Sequence, residues 1–479
     1  MKKIIKKNST LILLGILVFT FTLALASCVK IDTDFLWHVK AGQYMMKHGI
    51  LNTDVFSWYM YGKSWMSHEW LFEIIIYNLS NLLGKSFYVV FSFICIGILE
   101  LILFLYNKNN YLKNILFSLL WIIFGFILIF YVQIRPHLVS YIFLALTTWF
   151  LYDLYKNERS RKIYFLPVLS VLWSNIHGGS CNLGYIFCFI FLITGSFSFK
   201  FSKIEANRIS KKQIIKYLSM ALLSMISVCI NIHGFKMFLY PYQNMMDSLM
   251  ISNISEWMPT TLNNVNNYPY FVLAVLILFV FIFSKKKIEL MDFVLFGVSL
   301  FLGLKSIRFW PYTYIIMSFV IFNYIGKRKM DSGTNLCIGL ISILLLLFSI
   351  GNYCRDYDDN AYFLDDKVIT ILKEEKPERL YNMYDYGGVL IYNDILVFVD
   401  GRADLYSKYN YKDYLNISKL NGDYPKLIEK YDFDYFLVST NYPINTYLKY
   451  SDKYELVYEN KDKIFALYKE KSAKWLALF

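Results

Sequence analysis

The feature that most constrains this chain is a series of long apolar runs that recur from the N-terminus to about residue 352. A bilayer's hydrocarbon core takes about 20 apolar residues to cross as a helix. Runs near that length end at about residue 29 and then fall at roughly 86–106, 115–132, 137–155, 163–175, 181–199, 217–232, 268–284, 288–304, 312–326 and 335–352. The 163–175 and 312–326 runs are short and would have to tilt or re-enter. Hydrophobic residues make up 57% of the 479 positions and aromatic residues 19%, more apolar surface than a soluble domain could bury. The pattern predicts a polytopic α-helical membrane protein with about 11 transmembrane helices.

Charge orients the runs. The formal net charge of +13 would suit a nucleic-acid binder, but the basic residues concentrate in short loops between apolar runs. They include Lys2, Lys3, Lys6 and Lys7, then Lys156, Arg159, Arg161 and Lys162, then Lys285, Lys286 and Lys287. The alternate short loops hold only Arg135, Lys236, Lys305 and Arg308. Cytoplasmic loops carry such an excess, so the N-terminus is expected inside, the C-terminus outside, and no nucleic-acid partner is implied. The wealth of Lys, Asn, Ile and Tyr fits an AT-rich bacterial genome, so the membrane the runs would cross is expected to be a bacterial plasma membrane. Seven cysteines show no paired metal spacing and no disulfide framework. Leu25-Ala26-Ser27-Cys28 resembles a lipoprotein cleavage box, but a retained first helix is the favoured reading, and either way Asp32 emerges outside.

Two parts follow. Residues 1–352 form the membrane module, with a long first outer loop at 30–85 holding two short interfacial helices. Residues 353–479 are charged and tyrosine-rich and read as a small extracytoplasmic α/β domain. There, Val389–Tyr392 and Ile395–Val399 are predicted strands around an Asn393-Asp394 turn, Tyr411 to Tyr431 is helical, and Tyr435–Ser439 and Ile464–Tyr468 are further strands.

Polar clusters punctuate the outer ends of the runs, where a bilayer tolerates ionisable groups poorly unless they serve a purpose. Asp32 and Asp34 follow the first run; two carboxylates one residue apart can share a divalent cation or supply a base, or simply solvate a loop. His38 follows on the same segment. His68-Glu69-Trp70 opens an amphipathic helix that Ser67 could cap, and no second His completes a zinc-protease spacing. Arg135-Pro136-His137 joins two runs with almost no loop, which suits phosphate better than simple snorkelling. Asn175-Ile176-His177-Gly178-Gly179 and Asn231-Ile232-His233-Gly234 read equally as repeated helix ends or as a cavity mouth. Arg308 faces either an anion or headgroups, and Asp400-Gly401-Arg402-Ala403-Asp404 either a ligand or its own turn. Asp356-Tyr357-Asp358-Asp359-Asn360 fails as a calcium loop, because Ala361 and Lys367 replace its Gly and Glu.

With Asp32-Thr33-Asp34-Phe35-Leu36-Trp37-His38, Ser67-His68-Glu69-Trp70-Leu71, Arg135-Pro136-His137, Asn175-Ile176-His177-Gly178-Gly179, Ser255-Glu256-Trp257 and Phe398–Tyr406 in this order, the chain resembles the GT-C polytopic membrane glycosyltransferases, in a poorly characterised bacterial branch. The resemblance implies a polyprenyl-phosphate-linked sugar donor, membrane lipids as surroundings, and a catalytic or metal-binding role for Asp32 or Asp34, with a divalent metal cation as the conceivable cofactor. His38, His68, Glu69, Arg135, His137, His177, His233, Glu256 and Arg308 are the expected substrate-binding residues. No Walker loop or Gly-rich dinucleotide turn is present, so the donor itself would supply the energy. The rivals are a polysaccharide ligase or polymerase and a non-enzymatic lipid-carrier translocase or transporter.

Overall fold

A computed structural model describes residues 2–29, 32–126, 133–327, 334–353 and 364–471. Among them, six helices are long and apolar enough to cross a bilayer: Ser9–Ser27, Phe87–Tyr111, His137–Lys156, Gly178–Gly195, Val265–Phe283 and Asn335–Asn352. Each remaining expected run contains a helix, but Ile115–Phe124, Leu166–Ile176, Leu290–Lys305 and Trp310–Val320 have only 10 to 16 residues. At 1.5 Å per residue these reach about 15–24 Å, short of a core about 30 Å thick. The described residues therefore do not establish eleven crossings. Lys211–Val228 is long enough, but three lysines lie in its first two turns, and Ser210 and Gln213 close a reciprocal capping box there.

The described chain divides into two compact units. The first comprises Met1–Lys30, Gly84–Met246 and Ile251–Asp356; the second Ile31–Leu83, Asp247–Met250 and Tyr357–Phe479. Within the first unit, the Lys2–Ser27 helix packs along Thr334–Tyr353 and along Phe87–Tyr111. Phe87–Tyr111 buries Cys95, Leu99, Ile102 and Leu103 and leaves Ile94, Ile98, Leu101 and Leu105 exposed in a stripe at helical spacing. Such a stripe is unfavourable in water and ordinary against lipid tails. Trp310–Val320 is buried at every position, as befits a helix apolar all round. A small sheet joins Phe199–Phe201, Ile204–Ala206 and Ile288–Glu289.

The second unit absorbs the segment that the sequence reading kept with the membrane part. Its two helices, Thr33–His48 and Trp70–Leu83, are longer than interfacial turns and pack on each other. Gly42 makes this possible: a Cβ there would lie 2.1 Å from the Glu73 carbonyl oxygen. Thr33–His48 ends at Gly49, whose φ of +83° lets its N–H close on the Met45 carbonyl. Trp37, Ala41 and Met45 of the same helix enter one core with Tyr381, Phe398, Phe433 and Phe436.

That core lies against a four-stranded sheet in the order Leu380–Asn382, Tyr435–Ser439, Phe465–Glu470, Tyr454–Glu459. The first pair is parallel and the others antiparallel. Tyr435–Ser439 and the strand at Phe465 match the sequence reading. The expected hairpin does not form: Gly387–Tyr392 is a helix. The polar backbone of Val397 instead pairs with the loop at 56–58, its N–H to Phe56 and its carbonyl to Trp58. Asn382 holds the same stretch, bonding the Phe398 N–H and the Val399 carbonyl. The glycine pair at the helix start admits close neighbours, since a Cβ at Gly388 would sit 2.0 Å from the Thr33 carbonyl oxygen. Tyr411–Lys419 and Tyr424–Tyr431 replace the single expected helix, broken where Leu420 and Gly422 take positive φ.

Candidate functional site

The first-loop acids stand at the start of Thr33–His48. Asp32 is its N-cap, and its Oδ1 accepts the Asp34 N–H at 2.7 Å. Asp34 lies in the first turn, and its carboxylate presses on Gly401, where an added Cβ would be 2.0 Å from Oδ1. One turn further along, His38 is buried and faces the other helix.

There a row of alternating carboxylates and imidazoles forms. His38 Nδ1 meets Glu73 Oε1 at 3.3 Å and His38 Nε2 meets Glu69 Oε2 at 3.6 Å. The second oxygen of Glu73 accepts from Ser67 Oγ at 2.8 Å. The second oxygen of Glu69 meets His68 Nε2 at 3.3 Å, and His68 Nδ1 lies 3.8 Å from Asp404 Oδ2. Ser67, the expected cap, thus donates its hydroxyl to Glu73. Burial alone would lower the His68 pKa, but Glu69, then Asp404 and Glu73, raise it to about 9, so the ring is an imidazolium at neutral pH.

Beneath the row, Arg402 is buried to 1% exposure. It forks onto Asp400 at 2.8 and 2.6 Å and reaches Asp54 at 2.5 Å, while Tyr406 shares the Asp400 carboxylate. The Trp65 ring lies 4.7 Å from the guanidinium carbon. Against the cost of burial, Asp400, Tyr406 and Asp54 hold the guanidinium charged, well above its ordinary pKa. Asp400 and Arg402 thus form a turn pair that also binds the Asp54 loop, leaving Gly401 under Asp34 and Asp404 beside His68. The Asp356-Tyr357-Asp358-Asp359-Asn360 run lies outside the described residues.

Sequence reasoning named His38, His68 and Glu69, singled out the turn that carries Asp404, and missed Glu73. Glu73 stands one helical turn after Glu69, a same-face spacing that could have been read. Of the expected Asp32–Asp34 pair, Asp32 caps the helix and the Asp34 carboxylate lies against Gly401. Among the described residues, His38, Glu69 and Glu73 are brought together, one ligand atom from each lying within 4.8 Å of the others.

The first unit holds its own constellation. Arg135 Nη1 is 3.4 Å from both oxygens of Glu256, and Arg308 Nη1 is 3.7 Å from one of them. The Arg308 guanidinium also stacks over Trp257 at 4.4 Å. Two cations meet one carboxylate here, all three residues being half-buried. His137 packs on Tyr141, and Tyr141 on Tyr312. His177 is buried, its Nδ1 at 2.6 Å from Ser140 Oγ and 3.0 Å from Ser180 Oγ, with the Trp173 N–H bonding the same two hydroxyls. The two Asn-Ile-His-Gly ends lock together: the Asn231 amide donates to Ser174 O and Asn175 Oδ1, and Asn175 donates to Ile230 O. The His233 N–H bonds Asn231 Oδ1, closing that helix end.

No family model matches the chain, and no curated protein does. Among solved structures, it is similar to the oligosaccharyltransferase of Archaeoglobus fulgidus in its apo crystal form, with a TM-score of 0.50 and 12% identity over 89% of this chain and 69% of that one. At that identity the likeness carries the fold alone. The chain thus shares a mostly helical fold with that protein, with six helices long and apolar enough to cross a membrane and a small sheet region toward its C-terminus.

Proposed function

We propose that this protein is a membrane glycosyltransferase that moves a sugar from a polyprenyl-phosphate donor to an acceptor hydroxyl on the outer face of a bacterial plasma membrane. The observation that carries the reading is the placement of Asp34. It is the acid that follows the first apolar helix, it is half-buried in the first turn of Thr33–His48, and its carboxylate lies against the Gly401 backbone.

Transfer forms a bond between the acceptor oxygen and the anomeric carbon and breaks the bond to the phosphate oxygen. Asp34 takes the acceptor proton as that bond forms. Asp32 holds the helix start, and with it the Asp34 backbone, through its cap bond. His68, as an imidazolium beside Glu69 and Asp404, donates to an acceptor oxygen. The departing lipid phosphate gains negative charge, which arginine forks accommodate well. Arg135 and Arg308 supply such forks within the first unit. A divalent cation, when bound, would neutralise part of the donor's phosphate charge.

The fold likeness to an oligosaccharyltransferase supports donor chemistry of this class. The test is transfer of radiolabelled sugar from a synthetic polyprenyl-phosphate sugar by the purified protein in vesicles. Asp34→Asn should lose transfer by at least 10³-fold while inserting normally, in line with the loss of a general base. Full activity in that variant removes Asp34 as the base.

A further inference from the structure

Glu69 and Glu73 are one helical turn apart on the same face, and both are buried, at 8% and 1% exposure. Like charges at this spacing repel, and a buried carboxylate is costly unless paired, as Glu69 is with the His68 imidazolium. The structure nevertheless aims both at one imidazole, His38, itself 3% exposed. From this geometry we infer that His38, Glu69 and Glu73 form a binding site for a divalent transition-metal cation of the zinc or manganese class. This inference stands apart from the transferase reading and does not require it.

The donor set fits such an ion. One imidazole nitrogen and two carboxylate oxygens suit zinc or manganese, whereas calcium and magnesium favour oxygen alone. Neighbouring ligand atoms of one such tetrahedral ion lie about 3.4 Å apart at bond lengths near 2.1 Å. The three ligand atoms here fall within 4.8 Å of one another, so side-chain adjustments of about 1 Å close them on an ion.

The outer shell is already built. Ser67 holds the far oxygen of Glu73 at 2.8 Å, and His68 meets the far oxygen of Glu69 at 3.3 Å. These contacts fix which oxygen of each glutamate points inward. The two ligand-bearing helices cannot slide apart freely, because the Gly42 backbone lies directly on the Glu73 carbonyl. The site therefore joins a residue just after the first apolar helix to one 35 positions later, on different helices of the second unit.

The test uses the full chain in detergent micelles, stripped with EDTA and then titrated separately with zinc and manganese chloride. Bound metal is counted by mass spectrometry after desalting, and affinity by calorimetry. Wild type should retain about one equivalent of one of the two ions. His38→Gln and Glu73→Gln should bind at least ten-fold more weakly with near-normal thermal midpoints, while Asp34→Asn binds as wild type. If Glu73→Gln does not fold, Ser67→Ala carries the test, since it keeps all three ligands and should weaken binding about ten-fold. Absence of a retained ion in wild type, or wild-type affinity in both His38→Gln and Ser67→Ala, overturns the site. Loss of binding in Asp34→Asn alone relocates the ion to the first-loop acids and equally overturns it. Metal content is read without sugar transfer, so failure here and failure of the transferase reading are separate results.

Discussion

Gly401→Ala isolates what the second unit does for Asp34. Gly401 does not occupy the positive-φ region, so alanine is compatible with the backbone there. The obstacle is the added methyl group, which would lie 2.0 Å from Asp34 Oδ1 and 2.5 Å from Cγ, where contacts under 3.0 Å do not occur. The carboxylate must therefore retreat by at least 1.0 Å. Asp34 can do so by rotating its side chain, so the stability cost should stay near 1 kcal/mol, within the range for modest overpacking. A base displaced by about 1 Å loses about 10²-fold in rate, equivalent to about 2.7 kcal/mol of transition-state stabilisation. The variant should insert, keep a thermal midpoint within a few degrees of wild type, and transfer sugar about 10²-fold more slowly in kcat/KM. Wild-type rates in Gly401→Ala would refute the claim that the Asp400–Asp404 turn positions the base. A collapse of the thermal midpoint would show that the contact is structural instead.

Other perturbations follow from the same geometry. Arg402→Met leaves the Asp400 and Asp54 carboxylates buried without their cation and should cost about 3–5 kcal/mol, read as a lower thermal midpoint in detergent, with Arg402→Lys intermediate because it keeps charge and loses the fork. His68 titrates near 9 when folded and 6.5 when free, so its stabilising effect is complete below pH 6.5 and disappears as pH rises through 9. In EDTA-treated protein, the midpoint gap between wild type and His68→Gln should shrink over that window; a pH-independent gap contradicts it. Arg135→Ala and Arg308→Ala should each raise the donor KM by about ten-fold, in line with a charge-assisted bond to phosphate at half-buried residues. Glu256→Gln should lower that KM, because the carboxylate now competes for both arginines; an unchanged KM in all three variants excludes them as phosphate ligands.

Much of this molecule is legible in residue order. The apolar runs that form Phe87–Tyr111, His137–Lys156 and Asn335–Asn352 declare themselves, because lipid leaves a backbone no partner but its own helix. Tyr435–Ser439 shows its strand character equally directly, and His38, His68 and Glu69 stand out as ionisable groups beside apolar sequence. Gly387–Tyr392 misleads: its apolar residues suit a strand, and only packing of its glycines against Thr33 and Val399 reveals a helix. Asn175 and Asn231 likewise carry no sign that they bond each other.

Sequence by itself determined where the chain turns apolar, which loops are basic, and which acids and imidazoles stand just outside the first helix, since each depends on composition over a few consecutive residues. Tertiary structure alone decided that Asp32 is a cap, that Asp34 rests on Gly401, that Arg402 is a buried clamp between Asp400 and Asp54, and that Glu73 joins Glu69 around His38. Those outcomes depend on contacts between segments up to 348 positions apart, which local periodicity does not encode.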